Sequence, residues 1–361
     1  MTSPATAGDA FHVALTNDFF DEAGEPRYRD LGLDVLDAEP RVRRSVFERH
    51  ASPIAPDQLA GVNGVVVLTP AVTADSLESA GDLLAVGRFG VGYDAVDVAA
   101  CTAADVALFI TTGAVDRSVA EATVGWMIAL SHRMLVKDRL VRRGAWNERS
   151  RYMGSELRER TVGVVGLGGI ARATLDLLRS FGIARPLAFD PHVDPAVAEQ
   201  AGVDLVPLEQ LLERSDFVSI HCPLTPQTRG LLGAAELVRM KPTAFLINTA
   251  RGGIVDEASL HEALTSNGIA GAALDCFECE PVVEPHPFGE LENVLLAPHS
   301  IAWTDELFRD IGRAACGGMV DLARGRRPRG VINPEVFARE GFRAKWARVT
   351  GRAPHELEVG R

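Results

Sequence analysis

The chain has 361 residues, 47% hydrophobic and 24% charged, a globular composition with material for two cores that excludes disordered, fibrous and collagen-like classes. Its net charge of −12 supplies no basic footprint, so neither nucleic acid nor an anionic membrane is expected as a partner. Cys101, Cys222, Cys276, Cys279 and Cys316 are few and odd in number, the start does not resemble a signal peptide, and no apolar run reaches the roughly 18 residues of a membrane span. A reduced, cytoplasmic protein is expected.

In chain order, residues 12–16, 64–69 and 107–111 are short β-branched or apolar runs between polar and helical stretches, the pattern of an α/β layer. Gly90-Val91-Gly92, taken unaided, is only a turn. Residues 118–134 carry an amphipathic helix pattern filled by Val119, Ala122, Thr123, Trp126, Met127 and Leu130, with Asp116 or Ser118 as its cap.

From Thr161 the alternation becomes regular, with strands expected at 161–166, 187–190, 217–221, 244–248, 270–275 and 294–297. The first runs directly into Gly166-Leu167-Gly168-Gly169-Ile170-Ala171, the small-residue spacing of a dinucleotide-binding turn. Gly166 takes the turn, Gly168 lets the backbone approach a pyrophosphate, and Ala171 lets the following helix lie close to its strand. Asp190 ends the next strand about 20 residues on, where a carboxylate binds the adenosine ribose hydroxyls and repels a 2′-phosphate, which favours NAD over NADP. Such alternation is that of a doubly wound parallel sheet, whose strand ends share one edge.

Just past those ends stand Arg251, Glu280 and His299. A histidine with a carboxylate partner is a general acid/base, and an arginine beside it can clamp a substrate carboxylate. Singly, each has a plainer reading: His299 a helix cap or loop histidine, Arg251 a surface charge, Glu280 a turn before Pro281. Their common placement at the dinucleotide edge is what groups them. Cys276-Phe277-Glu278-Cys279 has C-x-x-C spacing but no second pair of ligands, so no metal is assigned.

These motifs, with Gly90 to Asp97, Val119-Ala120-Glu121, His221-Cys222-Pro223-Leu224-Thr225, Ile247 to Glu257, Gly271 to Pro281 and Pro298-His299, resemble the D-isomer-specific 2-hydroxyacid dehydrogenase family from about Thr69 to Asn333. The resemblance implies two Rossmann-like domains, an NAD-binding doubly wound parallel sheet and a smaller flavodoxin-like substrate domain. The expected division is 1–113, completed by 305–334, for the substrate domain, 114–304 for the NAD domain, and 335–361 for a C-terminal extension. It further implies NAD-dependent interconversion of a D-2-hydroxy acid and its 2-oxo acid by a homodimer. His299 would be the acid/base, Glu280 its partner, and Arg251 the group on the substrate carboxylate. Substrate contacts are expected from Leu68, Thr69, Val91, Gly92 and Trp303. Cofactor contacts are expected from Gly166, Gly168, Gly169, Ile170, Asp190, Cys222, Pro223, Thr249, Ala250, Asp275 and Ala302, with Arg251 and His299 beside them.

The chain departs from the family pattern at three places. Trp303 brings an indole where relatives carry small residues, and the usual burial of aromatics favours packing over substrate contact. Val66 to Pro70 lacks the arginine that phosphoglycerate dehydrogenases place for the substrate phosphate, which lowers that substrate, and Gly169 stands where relatives are often larger or charged. Two other functions fit the same fold: an NAD(H)-sensing regulatory protein, and a dehydrogenase of a substrate that is not a hydroxy acid. The final 337–361 stretch, with Phe342 and Trp346 as isolated anchors, either wraps a neighbour or frays.

Overall fold

The computed structural model describes residues 10–351 and 358–359. It divides into two compact units, one holding the described residues up to Val115 and those from Thr304 onward, the other Asp116–Trp303.

The first unit is built on five parallel strands, β1 (Phe11–Leu15), β2 (Val42–Val46), β3 (Gly64–Val67), β4 (Ala85–Arg88) and β5 (Ala107–Ile110), in the order β2-β1-β3-β4-β5. This is the flavodoxin-like order. Helices α1 (Asp34–Asp37) and α2 (Val98–Ala103) lie in its connections. β3 is buried at all four positions, which is why its sequence is a continuous valine run. β2 is one of the two edge strands, and its exposed Arg43 and Arg44 hide it from an apolar pattern search. Thr16 stitches β1 to β3: its N–H donates to Val66 O at 3.1 Å, and its Oγ1 accepts from Leu68 N at 3.2 Å.

The second unit opens with α3 (Asp116–Ser131) and α4 (Met134–Arg142). The 118–134 pattern is therefore α3, which stops at Ser131; Arg133 takes left-handed backbone (φ 57°), and α4 starts afresh at Met134. Then follow β6 (Val162–Val165), α5 (Gly169–Leu178), β7 (Leu187–Phe189), α6 (Pro195–Ala201), β8 (Asp204–Leu205), α7 (Leu208–Arg214), β9 (Phe217–Ile220), α8 (Ala234–Leu237), β10 (Phe245–Asn248), α9 (Glu257–Thr265), β11 (Gly271–Leu274) and β12 (Val294–Leu296). All seven strands are parallel, in the order β12-β11-β10-β9-β6-β7-β8. The order reverses between β6 and β9, the switch point at which doubly wound sheets bind dinucleotides. Apolar clusters cover both faces, one around Ile220, Leu246 and Leu274, the other around Met127, Val164 and Ile247.

The chain then returns to the first unit through α10 (Asp305–Ala323), capped by the Thr304 side chain accepting from Leu307 N, and ends in α11 (Glu340–Thr350). Over residues 340–350 the C-terminal stretch is helical and packs on its own unit. Phe342 and Trp346 are buried against Phe337, and Lys345 Nζ donates to Leu83 O, Ala104 O and Asp105 O at 3.1, 2.8 and 3.0 Å. Residues 352–357 and 360–361 lie outside the described residues. Among the described residues no helix is long and apolar enough to cross a membrane.

Candidate active site

In the 116–303 unit, parallel pairing puts every strand's C-terminal end on one edge, and Gly166, Asp190, Cys222, Arg251, Asp275 and His299 all follow those ends. Gly166 takes φ 91°, and a Cβ there would lie 2.9 Å from Cys222 N, so only glycine makes this turn. A Cβ on Gly168 would meet nothing within 4 Å, so that backbone faces open space. α5 begins without a side-chain cap, leaving its first N–H groups and positive end for an anion. Asp190 is fixed by two amides, Leu167 N on Oδ2 and His192 N on Oδ1, both at 2.9 Å. Each oxygen keeps a lone pair for a ribose hydroxyl. These residues fit a dinucleotide.

The rest of the expected cofactor set is held by local bonds. Thr174 Oγ1 donates to Ile170 O at 2.9 Å, and Thr228 Oγ1 to Pro223 O at 2.6 Å. The Cys222 thiol is pushed up to about 11 by burial and stays neutral. Thr249 Oγ1 sits 3.4 Å from Thr123 Oγ1 of α3. Asn248 braces the next turn, its Oδ1 accepting from Ala250 N at 3.1 Å and its Nδ2 donating to Arg251 O at 2.9 Å. Arg251 Nη1 donates to Ala250 O at 2.6 Å.

His299 has left-handed backbone (φ 54°) in the loop after β12, so it caps no helix. Its Nδ1 lies 2.7 Å from Glu280 Oε2, and Glu280 Oε1 accepts from Phe277 N at 2.9 Å. Burial works to raise Glu280, but the bonds from His299 and Phe277 N, with the charge of Arg251, leave it below the usual glutamate value. Asp275 holds the histidine's loop, accepting from Ser300 N at 2.8 Å and Ile301 N at 3.1 Å. Burial raises Asp275 despite those bonds. The turn closes with Trp303 N donating to Ser300 O at 2.9 Å, and Ala302 is buried. Trp303 itself is 53% exposed. The C-x-x-C pair has unlike members, since Cys276 is buried with Sγ 3.6 Å from Asn248 O and Cys279 is exposed.

One neighbour of the turn escaped the sequence reading. The Asp116 carboxylate lies over Gly169, where a Cβ would stand 2.0 Å from Oδ2, and burial raises its pKa against the charge of Arg172. Gly169 was the visible signal, because the missing Cβ makes room for this side chain.

Leu68, Thr69, Val91 and Gly92 belong to the other unit, after β3 and β4. Thr69 donates from N and Oγ1 to Asp18 Oδ2, at 2.9 and 2.5 Å. Gly90 (φ 128°) donates to Thr111 Oγ1 at 3.2 Å, which leaves Val91 and Gly92 as that loop's amide donors among the described residues.

Comparison with known proteins agrees with this edge. The family profile described as "D-isomer specific 2-hydroxyacid dehydrogenase, NAD binding domain" matches residues 124–300. A glyoxylate reductase of Korarchaeum cryptofilum is 37% identical over 75% of this chain and 82% of its own length. A D-3-phosphoglycerate dehydrogenase of Archaeoglobus fulgidus is also 37% identical, over 73% of this chain, which spans about half of that enzyme, 49%. Among solved structures, the PH0520 protein of Pyrococcus horikoshii superposes with TM-score 0.76 at 25% identity, covering 92% of this chain and 98% of its own. The TT0316 protein of Thermus thermophilus gives 0.75 at 27%, covering 89% and 99%. Residues 124–300 thus form an NAD-binding domain, and the chain belongs to the D-isomer-specific 2-hydroxyacid dehydrogenase family.

Proposed function

We propose that the protein interconverts a D-2-hydroxy acid and its 2-oxo acid, with Arg251, Glu280 and His299 as the reacting machinery. The observation that carries this reading is the 2.7 Å His299–Glu280 contact on the edge that also bears the fingerprint. Bound NAD supplies the acceptor for the hydride that leaves C2. Because Nδ1 faces Glu280, the proton of the substrate hydroxyl goes to His299 Nε2 as the C2–H pair departs and the C2=O bond forms; reduction runs the same transfers backwards. Glu280 stabilises the imidazolium that results. The Arg251 guanidinium binds the substrate carboxylate and polarises the C2 oxygen.

The test is oxidation of NADH, followed by its absorbance, against 2-oxo acids of graded size and charge. Turnover of at least one member is expected; tight NADH binding with no turnover by any would replace this reading with that of an NAD(H) sensor.

We further propose a homodimer formed by the 116–303 unit. Met134, Val141, Trp146 and Met153 are exposed at 48, 63, 62 and 78% within one short stretch. Met153 lines a groove of about 750 Å³ together with Val136, Tyr152, Phe217, Phe245, Ile269 and Leu291. Clustered exposed apolar side chains of this kind mark association surfaces.

A further inference from the structure

Asp116 is a carboxylate for which the proposed reaction has no use. It is the first residue of α3, and its side chain is pressed onto Gly169, the first residue of α5. A Cβ on that glycine would lie 2.0 Å from Oδ2 and 2.7 Å from Cγ, so any side chain at 169 would strike the carboxylate. Both helices belong to the 116–303 unit. The carboxylate therefore stands where two helix N-termini meet, each a positive end.

An acid at a helix start ordinarily accepts hydrogen bonds from that helix's own amides. Asp116 does not: among the described residues no hydrogen bond or ion pair holds its carboxylate, and neither oxygen is enclosed. Burial leaves the carboxyl above the usual aspartate value, and the charge of Arg172 on α5 offsets this only in part. The backbone beside it is the turn that fits a pyrophosphate. Gly168 faces open space, and α5 begins without a side-chain cap, so its first amides are left for an anion. The anion that the chain itself places at this helix start is Asp116. A pyrophosphate brings two more negative charges to the same amides, beside a carboxylate that no partner neutralises.

Resting on the reading that the fingerprint turn takes the pyrophosphate, we infer that Asp116 is a built-in competitor for it, a residue that holds dinucleotide affinity down by keeping a fixed negative charge on the start of α5. The inference needs no hydroxy-acid chemistry. Like charges brought together at a half-exposed site cost about a factor of ten in binding.

The experiment measures dissociation constants by NADH fluorescence for the full-length protein, Asp116→Asn, Asp116→Ser and Asp190→Ala, with ADP-ribose and adenosine read as competitors of NADH. Asp116→Asn keeps the size and removes the charge. NADH and ADP-ribose, which carry the pyrophosphate, should then bind about 10-fold more tightly, while adenosine, which has none, should change less than about twofold. Asp116→Ser should give the same gain, which separates charge from shape, and it decides the matter if Asp116→Asn misfolds. Asp190→Ala probes the underlying reading and should weaken all three ligands, because it removes the carboxylate for the ribose hydroxyls. Weaker binding in Asp190→Ala with no gain in NADH affinity from the Asp116 variants overturns this inference alone. Equal gains for adenosine and NADH overturn it as well, since the charge then does not act on the pyrophosphate. NADH affinity untouched by Asp190→Ala overturns it together with the fingerprint reading.

Discussion

His299 sits at φ 54°, a left-handed region that residues other than glycine adopt infrequently, asparagine, aspartate and histidine more readily than the rest. The strain is held by Asp275, whose carboxylate takes the amides of Ser300 and Ile301, and the result is an imidazole presented to Glu280. Asparagine is the replacement that tolerates this backbone, so His299→Asn separates chemistry from folding. Its kcat should fall by about 10²- to 10⁴-fold, the usual worth of a general acid/base, with NADH affinity within about threefold. An undiminished kcat would remove His299 from the reaction. Glu280 sets the pH behaviour. Its folded pKa lies below the usual glutamate value, so its stabilising contribution is complete above that value and is lost as pH falls through the lower folded pKa. Glu280→Gln keeps an acceptor for Phe277 N but cannot ionise. Urea midpoints measured from neutral to acid pH should therefore fall less steeply for this variant than for the wild type.

At the scale of elements, α11 shows how a polar side chain anchors a helix. Lys345 is buried enough for its pKa to be lowered, yet its three hydrogens meet three carbonyls of the loops before β4 and β5. Lys345→Met keeps the aliphatic stem and strands those carbonyls, so a loss of about 2 to 3 kcal/mol is expected from the urea midpoint, with NADH binding intact. A change under about 0.5 kcal/mol would mean that Phe342 and Trp346 hold the helix unaided. The same element marks the limit of what the sequence discloses. Phe342 and Trp346 were visible as isolated anchors, but the Leu83 and Asp105 carbonyls that Lys345 binds between them are more than 230 residues away in the chain. The fingerprint, Asp190 and the strands that deliver Arg251 and His299 were legible because a turn glycine or a fully buried strand leaves its mark within a few residues. Asp116 over Gly169 and Asp18 beneath Thr69 were not, since each pair is joined only by folding. β2 and the two-residue β8 lie at sheet edges, where no apolar pattern is required.

For the whole molecule, net charge of −12 contrasts with the arm from Arg133 to Arg151, which carries Lys137, Arg139, Arg142, Arg143 and Arg149 between its exposed apolar residues. Leaving Trp146 and Met153 in water has no benefit for an isolated chain, and a two-fold axis would bury each arm together with its copy. Trp146 is the expected centre of that contact, being large, rigid and held under the Arg149 guanidinium at 5.3 Å. Trp146→Asp combined with Met153→Glu removes two apolar anchors and adds two charges to each copy. A symmetric interface feels every change twice, so a penalty of about 2 kcal/mol per copy becomes about 4 for the pair, roughly a thousandfold in dissociation constant. Sedimentation velocity at micromolar concentration should then show the wild type at twice the mass of the variant, whereas Val238→Asp, at an 81% exposed site away from the groove, should leave the mass unchanged. A wild type that sediments as a single chain, or a variant that keeps the doubled mass, would place the association elsewhere or dispense with it.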